Sequence, residues 1–193
     1  MEVPQRRGDP VKVSVDEEPL SIKLDKIPTL RPAFQRDGGT ITAANASSLN
    51  DGAAALVVMS EEGAADLDLR PLARILGYGD AEREPVDFTT APSFAVPVAL
   101  KNAGMELSDV EYHEINEAFS VVALANMQLL NLDPGKVNVF GGAVALGHPL
   151  GMSGSRIIGT LYSVLKHSDA AVGCASICNG GGGASAIIIE RMF

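Results

Sequence analysis

Three stretches of this chain combine chemically capable side chains with backbone that would leave them accessible. Asn116-Glu117-Ala118-Phe119 stands where a β-like run gives way to a helical one. The Asn116 amide suits a helix cap, the reading that spacing alone favours; in a site it would hold a water or a substrate oxygen. Gly141-Gly142-Ala143-Val144-Ala145-Leu146-Gly147-His148-Pro149-Leu150-Gly151 sets one imidazole among small residues that leave room for a partner. An isolated histidine is more often structural than catalytic, yet this ring could act as base or hydrogen-bond donor. The same loop could cradle a phosphate at the start of its helix, but it lacks the Lys-Ser/Thr ending of a P-loop. Cys178-Asn179-Gly180-Gly181-Gly182-Gly183 holds more glycine than a hairpin needs. The surplus lets backbone approach a ligand closely, and its N–H groups can serve an oxyanion. Cys178 is then a nucleophile, a base as thiolate, or a buried inert thiol. Cys174, in mid-strand, reads as inert.

These residues need a scaffold, and apolar periodicity outlines one. Val11 to Val15 alternates like a short strand, followed by an irregular segment broken by Pro28 and Pro32. Ala53 to Met59 reads as a buried strand with a short helix before it and another, Glu61 to Asp66, after it. Arg70 to Gly77 is a further strand. Pro92 to Ala103 has helical spacing, with Phe94, Val98 and Leu100 apolar and Gly104 as C-cap. Val110 to Ile115 is a strand, and Glu117 to Asn131 a helix with Val121, Val122, Ala125 and Leu129 apolar. Val137 to Phe140 is a short strand. Gly151 to Lys166 is a helix with Ile157, Ile158, Leu161 and Leu165 on one face. Ala171 to Ile177 and Ala184 to Ile189 are strands joined by the glycine-rich hairpin. Alternating strands and helices predict a layered α/β architecture with buried strands. All three candidate stretches fall at strand ends, where sites of such folds lie.

The bulk properties exclude several classes. With 193 residues the chain can bury a real core. A formal net charge of −9 argues against nucleic acid and anionic membranes as main partners. Lys23, Lys26, Arg31 and Arg36 form a loose basic group, either solvated surface or a contact for the phosphates of a nucleotide-bearing ligand. Two cysteines make no disulfide framework and suit a reducing compartment, cytoplasmic or mitochondrial. No apolar run approaches a membrane span. Met1 to Pro10 reads as neither signal nor transit peptide, and Arg191-Met192-Phe193 is no peroxisomal address. His113 and His167 join no ligand-spaced set, so no zinc site is expected.

Taken in order, N-E-A-F, G-H-P and C-N-G-G-G-G resemble the thiolase family, and Thr42-Ala43-Ala44-Asn45-Ala46-Ser47 with Asn50-Asp51-Gly52 extends the likeness over almost the whole chain. It is nearest to the acetoacetyl-CoA thiolases. The resemblance implies the C-terminal half of a thiolase-like layered fold, a mixed sheet with helices on both faces. Residues 1–47 would end the loop region that covers CoA, 48–69 would supply the last helix and strand of the N-terminal half, and 70–193 would form the C-terminal domain.

The same resemblance implies acyl transfer between coenzyme A and an active-site cysteine, coupled to making or breaking a carbon–carbon bond, with CoA as substrate and no redox cofactor. It assigns His148 to activating the nucleophile and binding the thioester oxygen, Asn116 to holding a water in the enolate oxyanion hole, Cys178 to moving the α-carbon proton, and Gly180 to donating its N–H to the other hole. Ser47 and Lys26 would contact CoA. Main-chain oxygens of Ala43, Ala44, Ala46 and Val144 would face a K⁺ ion, as in the potassium-dependent type. Two departures stand out. Family chains are roughly twice this length, and neither Cys174 nor Cys178 matches the nucleophile, so the chain alone is expected to be inactive and to need the other thiolase half. Phe140 stands where relatives carry a polar residue. The competing expectation is a catalytically inactive truncated isoform that binds CoA or a thiolase subunit. The parent enzyme would be a homo-oligomer. A ketoacyl synthase, with its two-histidine pattern, fits less well.

Overall fold

A computed structural model describes residues 1–193. The first sixty residues carry little regular structure. Strands β1 (Glu2–Val3) and β2 (Val11–Lys12) form a two-stranded antiparallel pair, followed by the single turn α1 (Glu18–Ser21) and a 3-10 segment at Leu24–Thr29. Helix α2 (Glu61–Asp66) starts where the Ser60 hydroxyl accepts the Gly63 N–H at 3.0 Å, a cap that satisfies an otherwise free donor.

Strand β3 (Ala73–Glu82), helix α3 (Pro92–Ala103), strand β4 (Tyr112–Ile115), helix α4 (Ser120–Leu130), the short α5 (Ala143–Leu146), helix α6 (Leu150–His167) and strands β5 (Val172–Cys178) and β6 (Gly183–Arg191) complete the chain. The sheet runs β3-β6-β5-β4, antiparallel except for β4 beside β5, so it is mixed. Its two faces follow from period-two alternation. Cys174, Cys178, Ala184, Ala186 and Ile188 point to one side and pack with α3 and α4 through Ala95, Val96, Ala99, Leu100 and Val122. Ala175, Ile187 and Ile189 point to the other, against Ile157, Leu161 and Leu165 of α6. Helices therefore cover both faces, as the fold class required.

Several elements follow the sequence reading closely. Helix α3 has its expected limits, with Gly104 at φ 69° giving its N–H to Leu100 and Lys101 carbonyls, a left-handed stop that glycine adopts without strain. Helix α6 buries the expected stripe. The buried faces of the other two helices differ from expectation. On α3, Phe94 and Val98 are exposed and Ala95 and Ala99 are buried; on α4, Val121 and Leu129 are exposed and Val122, Ala123 and Asn126 are buried. For α3 the cause is close approach to β3, where Gly77 and Gly79 lie directly under Ala99. Only small side chains fit between helix and strand there. On α4, Asn126 is buried because its amide accepts the Ser93 N–H at 2.7 Å and donates to Thr89 and Val122 carbonyls, tying α4 to the start of α3.

Three expected elements do not form. Ala53 to Met59 is no strand: Val57 is 87% and Val58 70% exposed, and the segment has no ladder partner in this chain. A strand needs a neighbour for its backbone groups, whatever its apolar content. The residues before it form turns and bridges rather than a helix, because Asn45 accepts the Thr42 N–H at 2.8 Å and donates to Thr40, an alternative to helical bonding. Val137 to Phe140 makes one bridge, Val137 to His113, and then stops at Asn138 with φ 49°. There the Asn138 side chain replaces a strand, accepting the Ile115 N–H at 2.8 Å and donating to the Ile115 carbonyl at 2.9 Å. The strand expected at Arg70 to Gly77 begins later and runs further, to Glu82.

His113 is buried on β4, and burial pushes its pKa down to about 4. An unfolded chain takes up this proton near 6.5, so the folded state is penalised as pH falls from about 6.5 to 4. The difference in unfolding free energy between wild type and His113→Gln is expected to move against wild type by about 3 kcal/mol across that window. Urea titrations at several pH values would measure it, and a constant difference would show that His113 takes up its proton as readily folded as unfolded.

Candidate active site

Strands β4 and β5 are parallel neighbours, so their carboxyl ends open on the same side. Asn116 follows the last residue of β4 and gives its N–H to Ser176 on β5 at 2.9 Å; Cys178 ends β5. This placement is the usual one for ligand sites in α/β sheets. Asn116 does not cap α4, whose cap position is Phe119. Its side chain is fully buried instead, with the amide Nδ2 3.3 Å from His148 Nε2.

His148 reaches that amide because two features hold its loop. Gly147 adopts φ 91°, and any side chain there would run into Asn50, so the position needs glycine. The His148 N–H then donates to the Ser48 carbonyl at 2.9 Å, in a bridge that joins residues 48–50 to the loop. On the other edge of the ring, Nδ1 lies 2.6 Å from Ser153 Oγ, within the first turns of α6. Burial, with the positive charge of Arg156 behind it, lowers the His148 pKa. The ring is therefore neutral at neutral pH, the form that can accept a proton.

The N-E-A-F glutamate is structural in this geometry. Glu117 accepts the Asn138 amide at 3.0 Å and the Val144 N–H at 3.2 Å, binding the glycine loop to the end of β4. Gly142 packs directly against this carboxylate, with no space for a side chain.

The hairpin is shaped by Asn179. Its Oδ1 accepts the N–H groups of Gly181 at 3.0 Å and Gly183 at 3.3 Å, and its carbonyl accepts that of Gly182. Of the four glycines, Gly180 alone has an N–H with no acceptor in the chain. Beside it, burial pushes the Cys178 thiol up to about 11, partly opposed by a backbone N–H. Cys174 is pushed up further, to about 12, consistent with an inert buried thiol. Thiolate fraction scales with pKa, so Cys178 in the native chain is expected to alkylate with iodoacetamide at pH 7 about 100-fold more slowly than in urea. Mass spectrometry of timed samples tests this; equal rates would mean an accessible or activated thiol.

The other sequence candidates are placed unequally. Ser47 is held against the site, donating both N–H and hydroxyl to the Ala118 carbonyl at 3.1 and 2.9 Å. Ala46 bridges to Phe119, and Ala43 and Ala44 precede it in a turn. Lys26 is exposed and pairs with Asp25 at 3.8 Å; no hydrogen bond or ion pair joins it to Asn116, His148 or Cys178. No group of three His, Cys, Asp or Glu side chains converges as a metal site. Phe140 is half-exposed with its ring edge-on to His167, 5.4 Å between centroids. Sequence reasoning passed over Ser153, Arg156, Glu114 and Asn138. The one signal available was helical: Ser153 and Arg156 lie three apart on the helix that begins just after His148, which gives them a shared face.

A mixed sheet covered on both faces, with a buried Asn–His pair and a glycine hairpin at its carboxyl edge, defines a layered α/β fold with its candidate site at the ends of two parallel strands, and comparison with known proteins gives its family. Residues 69–191 match the family model described as the C-terminal domain of thiolase, and residues 1–62 that of the N-terminal domain. The chain belongs to the thiolase family. It is 57% identical over its whole length to a cytosolic acetyl-CoA acetyltransferase of Gibberella zeae, covering 48% of that protein. It is 58% identical to an acetyl-CoA acetyltransferase of Schizosaccharomyces pombe, covering all of this chain and 49% of that one. With the mitochondrial acetyl-CoA acetyltransferase of Bos taurus identity is 54%, over 96% of this chain and 44% of that one. Among solved structures, a Bacillus anthracis acetyl-CoA acetyltransferase superposes with TM-score 0.88 at 44% identity, over 99% of this chain and 48% of that one. An Ascaris suum thiolase in complex with coenzyme A gives TM-score 0.82 at 49% identity, over 93% and 47%. The chain thus spans about half the length of these relatives.

Proposed function

We propose that this chain supplies the acid–base and oxyanion groups of an acetyl-CoA acetyltransferase site, making or breaking the bond between two acetyl units carried as thioesters. The observation that carries this is the buried contact, 3.3 Å, between Asn116 and His148, residues 32 apart in sequence. In the thiolysis direction, the acetoacetyl carbonyl would lie near the free Gly180 N–H, and the departing enolate oxygen near the Asn116 amide and the His148 ring, which becomes a donor there once it has taken the nucleophile's proton. Fixed donors at such an oxygen contribute about 3 kcal/mol each to the transition state. The cysteine thiolate of the remaining half would add to the 3-keto carbon. The carbon–carbon bond then breaks toward the enolate carbon, leaving an acetyl group on that sulfur for free CoA to accept, and the enolate carbon takes its proton from Cys178. A thiol held up near 11 is in the proton-bearing form needed for that step. Synthesis reverses it, with the enolate donors lowering the cost of removing the proton.

The nucleophilic cysteine comes, in this reading, from the remainder of the thiolase fold. Residues 1–47 serve as CoA-covering loop, with Ser47 and Lys26 toward the cofactor, residues 48–69 close the N-terminal half, and 70–193 form the C-terminal domain. Exposed Leu56, Val57, Val58, Leu146 and Leu150 are the apolar surface that the remainder would cover. Potassium would sit against the carbonyls of Ala43, Ala44, Ala46 and Val144; the first three accept no hydrogen bond within the chain. There it would hold the loops of residues 42–47 and 141–147 together.

The test is a thiolysis assay with acetoacetyl-CoA and CoA, following loss of 3-ketoacyl absorbance. The chain alone is expected to be silent, and activity is expected when the N-terminal half of the Schizosaccharomyces pombe relative is co-expressed. Activity without that half would overturn the assignment of the nucleophile to another segment. Silence in both, with CoA still bound, would favour a non-catalytic binding role.

A further inference from the structure

Behind the Asn116–His148 contact lies a second pair with no assigned purpose. Glu114, on β4, is 1% exposed, and its Oε2 lies 3.7 Å from Nη1 of Arg156 on α6. Neither Glu114 oxygen, nor Nε or Nη1 of Arg156, has a hydrogen-bond partner. Burial raises the Glu114 pKa to about 7, against the opposing pull of Arg156. A loosely bonded buried ion pair is a poor source of stability, since desolvation offsets its attraction. What Arg156 does make is a contact at its other end, Nη2 to Asn116 Oδ1 at 3.4 Å.

That contact has a logical consequence. A guanidinium has only donors, so the atom of Asn116 that faces it must be the oxygen. The amide NH₂ is then turned to His148 Nε2, 3.3 Å away. An NH₂ group also only donates, so Nε2 must carry the lone pair. The ring proton is left on Nδ1, where Ser153 Oγ accepts it at 2.6 Å. We propose that Arg156, anchored by Glu114, is a positioning residue that orients the Asn116 amide and through it selects the Nδ1–H tautomer of His148. Without Arg156 the amide could rotate by half a turn and present its oxygen to the ring, which would favour the opposite tautomer. The catalytic meaning of this relay rests on the function proposed above, but the tautomer itself can be read without any turnover.

The experiment is ¹⁵N NMR of the labelled chain above the His148 pKa, using long-range imidazole correlations that distinguish protonated from unprotonated ring nitrogens. Wild type is expected to show Nδ1 protonated and Nε2 unprotonated at His148. Arg156→Met should lower the ratio of Nδ1–H to Nε2–H at least tenfold, and Arg156→Gln, whose own amide can present either atom, should do the same should the methionine variant fail to fold. Arg156→Lys, still only a donor, should restore the wild-type pattern. Ser153→Ala, a small change at a buried site, should leave the tautomer unaltered, because Asn116 still presents donors to Nε2. A wild-type pattern in Arg156→Met or Arg156→Gln would overturn the relay, as would a switched tautomer in Ser153→Ala, which would assign the selection to Ser153. Unchanged thiolysis in the complemented Arg156→Met protein, with these spectra as expected, would refute the catalytic reading alone.

Discussion

Replacing His148 by alanine in the complemented protein is expected to lower kcat for thiolysis about 1,000-fold, with little change in the apparent affinity for CoA. The size follows from the chemistry removed. A positioned acid–base group contributes between about 10² and 10⁴ in rate, and in the proposed reaction the ring, once it has taken up the nucleophile's proton, would also donate to the enolate oxygen. A factor of 1,000 is about 4 kcal/mol at the transition state. Folding should survive the change, because the residue's backbone bond to Ser48 does not depend on the ring. The effect should fall on kcat because the proposed function puts the ring at the reacting carbons and leaves the CoA contact to Ser47 and Lys26. Both steady-state constants are obtained from one substrate series. A loss below tenfold would remove His148 from the reaction and shift attention to Cys178.

The largest structural effect is expected from a substitution remote from the chemistry, Gly77→Ala with Gly79→Ala. A methyl group on Gly79 would lie 2.7 Å from the backbone nitrogen of Ala99, and one on Gly77 2.7 Å from the Ala99 carbonyl and the Ala103 nitrogen. These neighbours are main-chain atoms of one helix, so no rotamer change relieves the overlap. Each insertion should cost up to about 3 kcal/mol. The two are not independent, since one outward shift of α3 relieves both, and a double-mutant cost of about 5 kcal/mol is expected. That approaches the whole stability of many domains. The double variant should be largely unfolded at 25 °C by circular dichroism, and each single variant should show a lower urea midpoint. Unchanged midpoints would mean that α3 does not rest on β3 at this distance.

The contrast between these predictions reflects what local sequence can convey. Helix α3 was legible in extent, because a proline-led start and a left-handed glycine stop are properties of a few adjacent residues. Its buried face was not, because that depends on Gly77 and Gly79, about twenty residues earlier. Helix α6 was legible in both respects, since its partner surface is the broad apolar face of β5 and β6 and any regular stripe fits it. The apolar run at Ala53 to Met59 misled because hydrophobicity records that a segment is to be covered, not by what. Val137 to Phe140 misled for another reason: one asparagine side chain does the work of a strand there.

At the candidate site the chain's own motifs were enough to single out Asn116, His148, Cys178 and the glycine run, with Gly180 named within it by the family resemblance alone, and to suggest proton transfer, nucleophilic attack or oxyanion binding. Residue type determines those capacities: an imidazole titrates, a thiol ionises, and a glycine run bares its N–H groups. Sequence alone left Asn116 open between helix cap and ligand-holding amide, and only the fold turned it inward to His148. It also left four glycines equivalent, until the bonds of Asn179 left Gly180 alone with a free donor. The buried line from Glu114 through Arg156 to His148 joins β4, α6 and two loops, so no local pattern announces it. Orientation, protonation and burial arise from contacts between distant segments, and those exist only once the sheet has brought the segments together.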